Sequence, residues 1–171
     1  MADHRAIEVA CEGLAGLLRE APLPAELAGS HLAGGVIGAG DVIAGSWSGG
    51  AGVLPYRVRV GRTGALESPG GPGTHPLPVE VQVVVVCQAE EPGTRLALAG
   101  WVMGRLHDRP VLTAAPGEET GANGEGVRIV ADDPGRTEFL QLWAALGLDG
   151  RDVLLLPYLL TGIVLDASAR A

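Results

Sequence analysis

Apolar residues recur along the chain in two rhythms, one of helices and one of strands. From Asp3 to about Ala21, the residues Ile7, Ala10, Cys11, Leu14, Leu17, Leu18 and Ala21 fall at helical spacing and make one apolar stripe. Glu8, Glu12, Arg19 and Glu20 lie off it, and Pro22 and Pro24 end the helix. Gly13 and Gly16 each weaken such a helix by about 1 kcal/mol relative to alanine, so packing has to hold it. Residues 31–52 are glycine-rich, with Val36-Ile37 and Val42-Ile43 as short extended pieces. Leu54–Val60 alternates Tyr56, Val58 and Val60 with Pro55, Arg57 and Arg59, which predicts a strand with one apolar and one basic face.

The Gly- and Pro-rich stretch 61–78 reads as a loop. Val79–Gln88 is the strongest strand signal: it starts alternating and ends as a continuous β-branched run, the pattern of a strand covered on both faces at one end. Pro92-Gly93-Thr94 marks a turn and a cap. A helix then runs to about His107 with Leu96, Ala99, Gly100, Met103 and Leu106 on one face, and Leu98, Trp101 and Val102 beside them. Pro110 turns the chain out of it, residues 113–126 form an acidic Gly-rich loop, and Val127–Val130 is a short strand. Asp133-Pro134 opens a third helix with the stripe Phe139, Leu142, Trp143 and Leu146 and with Gly147 as its stop. The last strand spans about Tyr158–Asp166, with Pro157 at its start or at an edge position, and Ala167–Ala171 is a frayed tail. This order predicts one α+β domain over residues 1–171. Its sheet is mainly antiparallel, of about four strands, with three helices packed on it.

Composition narrows the function. All twelve basic residues are arginine, and the absence of lysine excludes a phosphate-binding P-loop and Schiff-base catalysis. A net charge of -8 argues against nucleic acid as a partner. No apolar signal core follows Met1, and the longest apolar stretch is strand-sized, too short to span a bilayer. The expectation is a cytoplasmic protein without membrane insertion, with Cys11 and Cys87 as free buried thiols.

Candidate chemistry is sparse. His107-Asp108 has the residue types of a metal-dependent hydrolase, but His4, His31 and His75 do not stand at metal spacing, and a helix-end turn explains the pair better. Gly38-Ala39-Gly40 lacks the third glycine of a dinucleotide loop, position 43 being isoleucine, and no clear helix follows it. Gly45-Ser46-Trp47-Ser48-Gly49 has tryptophan where a nucleophile elbow needs serine. Asp132-Asp133 reads as a capped helix start. No catalytic residue, metal site or cofactor is therefore expected.

The run Leu96-Ala-Leu-Ala-Gly-Trp-Val-Met-Gly-Arg-Leu-His-Asp-Arg-Pro-Val-Leu112 resembles a segment of the N-terminal domain shared by cap proteins of extracellular contractile injection systems. These are the systems of the antifeeding-prophage and Photorhabdus-virulence-cassette type. That family has Leu-His-Asp, one variable position and Pro-Val/Ile-Leu, then a short strand, a helix containing Leu-Trp, and Pro-Tyr opening the final strand. Here these are Leu106 to Leu112, Val127–Val130, Leu142-Trp143 and Pro157-Tyr158. The amphipathic first helix also fits, whereas Leu54–Val60 and the Gly content of 61–78 and 113–126 depart from the pattern. The resemblance implies a phage tail-terminator-like fold, a non-enzymatic hexameric ring, and contact with the sheath and tube proteins of a contractile particle. A tail terminator of an ordinary phage would share the fold and differ in partners; a small metal-dependent hydrolase using His107 and Asp108, or a plain interaction module, are readings of other classes. Strand addition at a sheet edge is the expected mode of partner binding. Leu54–Val60 is the expected edge, with Tyr56, Arg57, Val58, Arg59 and Val60 as contact residues, because Pro55 and alternating arginine suit an edge strand.

Overall fold

The valine-rich segment that carries the strongest strand signal becomes β2 (Leu77–Gln88), and the rest of the sheet is built outward from it. The computed structural model describes residues 5–27, 35–44, 49–61, 77–113, 126–148 and 151–165. β2 pairs antiparallel with β1 (Gly50–Val60) on one side and with β5 (Val153–Leu165) on the other. β4 (Val127–Ala131) follows beside β5, and β3 (Val111–Leu112) ends the sheet, in the order β1-β2-β5-β4-β3. The architecture is the expected α+β one with an antiparallel sheet, but of five strands. A two-residue strand such as β3 carries no readable periodicity.

Both faces of the sheet are covered, and the side-chain alternation of β2 sorts the two cores. Val79, Val81, Val83, Val85 and Cys87 face α1 (Ala6–Arg19) and α3 (Pro92–Asp108), joined by Tyr158, Leu160 and Ile163 of β5. Val84 and Val86 point the other way, toward Ile37, Val42, Leu146 and Leu148, with Phe139, Leu142 and Trp143 half-buried there. These last residues belong to α2 (Ala39–Ala44), α4 (Gly135–Ala145) and the segments beside them. The run Val83–Cys87 is thus fully buried from both sides, as its unbroken apolar sequence implies.

Several boundaries and faces differ from the sequence expectation, each for a local reason. Val42-Ile43 is helical, not extended: the Gly38 N–H is capped by Asp41 Oδ2 at 2.8 Å, so a short helix does follow Gly38-Ala39-Gly40. Arg151 then donates to the carbonyls of Val42 and Ile43, both at 2.6 Å, and satisfies the end of that helix from a distant part of the chain. Val36 makes an isolated parallel bridge to Val53. α3 begins at Pro92, before the expected cap Thr94, and buries Arg95, Leu98, Ala99, Val102 and Leu106, whereas Leu96 and Met103 of the expected core stripe are exposed. The Arg95 guanidinium donates to the Ala89 carbonyl at 3.2 Å and lies 3.4 Å from Asp152. β1 and β5 both begin earlier than expected, at Gly50 and Val153. Pro157 therefore sits inside β5, not at its start. Its carbonyl accepts from the Asp132 N–H at 3.1 Å, so its N-side faces the place just past Ala131 where β4 has ended and no ladder bond is lost. The expected loops 61–78 and 113–126, the tail 167–171 and the residues 45–48 fall wholly or largely outside the described residues.

Two glycines give opposite expectations. Gly126 has φ +79° and a Cβ there would stand 2.6 Å from the Leu112 carbonyl oxygen, whereas a Cβ at Gly100 on the open side of α3 meets nothing within 4 Å. In urea titrations Gly126→Ala is expected to lower stability by about 2 kcal/mol or more. Gly100→Ala is expected to raise it by about 0.5–1 kcal/mol.

Candidate functional site

β1 lies at the edge of the sheet, where a strand has a row of backbone groups with no neighbour. Its first half is covered. The Val53 carbonyl accepts from the Ile37 N–H at 2.8 Å and the Val53 N–H donates to the Gly35 carbonyl at 3.2 Å. These bonds show that Val53 turns its main chain away from β2, and by alternation Pro55 does too. Pro55 brings no N–H to that side, so proline is tolerated at this position.

Between Pro55 and Arg57 the register slips by one, and Tyr56 is the bulged residue without a partner on β2. Past the bulge, Gly61 N–H donates to the Pro78 carbonyl at 2.9 Å. Gly61, Arg59 and Arg57 therefore direct their main chain at β2, and Val58 and Val60 direct theirs outward. Among the described residues nothing pairs with these outward groups. Their side chains are also open, Val58 at 51% and Val60 at 63% exposure. Both stand on the α1 side of the sheet, opposite Val81 and Val79.

The two arginines stand on the opposite face, and each has an acidic neighbour. Arg57 Nη1 lies 2.9 Å from Glu138 of α4, and Arg59 Nε lies 2.9 Å from Glu80 of β2. Tyr56, expected beside Val58 and Val60, packs instead with the α4 side of the sheet, against the cluster of Leu54, Val84 and Val86. The bulge is the reason: it resets the alternation by one residue. The five expected contact residues are therefore contiguous on one edge but split by face. Val58 and Val60 are open to a partner in both main chain and side chain. The arginine charges are matched within the chain, and the Tyr56 hydroxyl is buried with no hydrogen-bond partner among the described residues. The pairing of Glu80 and Glu138 with the arginines carried no signal in the linear sequence, nor did the place of the extended piece Val36-Ile37 against Val53.

The remaining chemical candidates do not assemble. His107 and Asp108 are both exposed at the end of α3. Among the described residues no group of three or more His, Cys, Asp or Glu side chains is placed to hold a metal. Asp132 accepts from Gln82 Nε2 at 2.9 Å, and Asp133 Oδ1 accepts from the Gly135 N–H at 3.2 Å at the start of α4. Among the described residues no helix is long and apolar enough to cross a membrane.

The model of one protein family, the Pvc16 N-terminal domain, matches residues 55–171, from the bulge of β1 to the end of the chain. Among solved structures, the chain is similar to the sheath/tube terminator of an extracellular contractile injection system, PVC, in its extended state. The identity is 16%, the TM-score 0.50, and the match covers 69% of this chain and 43% of that one. A second similar structure is the tube-terminating cap of the anti-feeding prophage, at 15% identity and a TM-score of 0.48, covering 70% of this chain and 44% of that one. The chain thus spans less than half the length of either protein. The first likeness shows that this sheet-and-helix arrangement is the fold of a tail terminator. No curated protein matches the chain.

Burial, with the carboxylates of Asp132 and Glu138 adding to it, pushes the Tyr56 phenol up to about 12. Arg57 and Arg59 pull weakly the other way. A phenol raised above its ordinary value of 10.0 holds its proton more firmly in the folded state. Its contribution to stability is whole below pH 10 and is lost as pH rises through about 12. Burial also raises Tyr158 and pushes Cys11 to about 11 and Cys87 to about 12, so the alkaline loss is shared. In thermal melts from pH 8 upward, Tyr56→Phe is expected to flatten part of this decline. At neutral pH it should leave stability unchanged or raise it by up to about 1 kcal/mol, because the hydroxyl it removes is buried and unpartnered.

Proposed function

The chain belongs to the Pvc16 N-terminal domain family, and from that membership we propose that it is a structural cap subunit: the terminator that closes the non-baseplate end of a phage-tail-like contractile injection particle. It is not an enzyme, and it is made in the cytoplasm, where it assembles on the end of the tube and sheath. Six copies form a ring on the last layer. A helical stack of rings grows while each layer presents a docking face for the next, and it stops when a closed ring presents none.

The observation that carries this reading is the half-open edge of β1 in a fold shared with a sheath/tube terminator. Covered at Val53, interrupted at Pro55 and open at Val58 and Val60, the edge offers the donors and acceptors of about one short strand. That suits an extended arm from a sheath subunit, received by strand addition, with main-chain bonds giving affinity and the two valines giving contact area. Tyr56, Arg57, Val58, Arg59 and Val60 are the contact segment, with the two valines at its centre and the arginines, held by Glu138 and Glu80, keeping the strand straight beyond its bulge.

The geometry makes proline at position 58 a clean probe. Val58 N–H points away from β2, so Val58→Pro removes an edge donor without breaking a ladder bond. The variant should keep a thermal midpoint within a few degrees of the parent. Electron microscopy of cells lacking the gene should show particles missing, unstable or with sheaths of uncontrolled length, and Val58→Pro should fail to restore them. Particles of normal length and normal end density in the deletion strain would refute the terminator role. Full rescue by a folded Val58→Pro protein would refute the β1 edge as the docking site and leave the terminator role standing.

A further inference from the structure

Helix α3 packs one side against the sheet and leaves a long face in the open. Between Gly93 and His107, the exposed residues Leu96, Ala97, Gly100, Met103 and Gly104 share that face. Leu96 is 64% and Met103 53% exposed, so two large apolar side chains stand there without cover. Around them the face is nearly bare. A Cβ at Gly93, Gly100 or Gly104 would meet nothing within 4 Å. No contact within the chain therefore calls for these glycines, and inside a helix each costs stability relative to alanine. The charges of the helix are segregated as well. Its start carries Glu90 and Glu91, both exposed, and Arg95 beyond them is buried and turned to Ala89 and Asp152. Its end carries Arg105, His107 and Arg109 against Asp108 alone.

We propose that this face pairs with the same face of a second copy of the chain, the two α3 helices lying antiparallel about a two-fold axis at Gly100. The occupant is a second copy because the face matches itself in both size and charge. Across such an axis a residue a given number of steps before Gly100 stands opposite the residue the same number after it. Leu96 of one copy then stands over Gly104 of the other, and Met103 over Ala97, so each large apolar side chain meets a residue with little or no side chain. Gly100 at the axis, and Gly93 opposite His107, let the two backbones come close, a use for glycine that the single chain does not supply. A parallel pair would set Leu96 on Leu96 and Met103 on Met103 and leave glycine facing glycine. The antiparallel order also lays the Glu90-Glu91 end of each helix beside the Arg109 end of the other and opposes the two helix dipoles. One helix pair is small against the roughly 800 Å² per partner of a standard interface, so the expected dissociation constant is on the order of 10–100 µM. The pairing occupies neither edge of the sheet and does not depend on the terminator reading.

The test is sedimentation velocity of the full chain from about 1 to about 500 µM, which should show monomer passing to dimer. Gly104→Leu fills the place of the partner's Leu96 and should weaken pairing by about tenfold or more. At concentrations where both proteins are monomers its thermal midpoint should rise, because a Cβ there meets nothing in its own chain and leucine favours helix. Loss of pairing is then not loss of fold. Glu91→Arg should weaken pairing, and adding Arg109→Glu to the same chain should restore it. Disulfide trapping reads the geometry, since Cys11 and Cys87 are buried and do not interfere. Gly100→Cys should link to itself under mild oxidation. Leu96→Cys should not, its two copies lying about 12 Å apart along the helices, but it should link when mixed with Gly104→Cys. Val58→Pro should leave pairing unchanged. The proposal is overturned if the chain stays monomeric throughout, if Gly104→Leu associates as the parent does, or if Leu96→Cys links to itself as fast as to Gly104→Cys. It is equally overturned if Val58→Pro abolishes association, which would assign the contact to β1.

Discussion

The ladder between β2 and β5 is the element on which everything else rests. It joins the two longest strands, from Leu77 opposite Leu165 to Gln88 opposite Val153, and it is the part of the sheet with helices on both sides. A strand buried on both faces has no polar side to fix its register, and β2 compensates in two ways. Its outer end carries Glu80 and Gln82, whose partners Arg59 and Asp132 lie on neighbouring segments. Its inner end is clamped by Arg95, which reaches the Ala89 carbonyl just beyond the strand and Asp152 just before β5. A slip of one residue would bury Glu80 among valines and expose Val81, so the register is strongly specified. With that ladder fixed, β1 and β4 add at its flanks, and among the described residues the sheet ends at β1 and β3.

What could be read from the sequence follows from how locally each feature is encoded. The stripe of α1 was legible because its polar residues are confined to one side; Cys11, Leu14, Leu17 and Leu18 are all buried as their spacing implies. The stripe of α3 was not, because apolar residues surround that helix. The face it buries is that of Leu98, Ala99, Val102 and Leu106 together with Arg95, whose partners lie elsewhere in the chain. β-branched Val42 and Ile43 read as strand, yet a single side-chain cap from Asp41 and the distant Arg151 make them helix. At the candidate site, the edge position of β1 was legible from Pro55 and the alternating arginines. The bulge at Tyr56 was not, because a bulge is decided by the partner strand's register and leaves no mark in a run that still alternates perfectly.

The two edges differ in how they are dressed. β1 is long, partly covered, and bears its exposed apolar side chains where a partner strand would extend the α1 face. β3 is two residues long and lies beside α1, with a cavity between the two. In both cases the outward main chain belongs to residues whose neighbours bond inward, so an outward N–H takes no part in the ladder beneath.

The bulge has one more effect. A strand edge that must accept a foreign segment also invites its own kind, and an exposed valine-rich edge is ordinarily a seed for aggregation. If two copies of β1 met antiparallel about Val58, Arg57 of each would stand opposite Arg59 of the other, both already held by a glutamate of their own chain, and Pro55 would withhold a donor at either end. The bulge puts both arginines on the same side of the strand as Tyr56, so the charged pairs lie on one face while the valines stay bare on the other. The same seven residues thus offer a copy of themselves fewer main-chain bonds than they offer a proline-free strand of different composition.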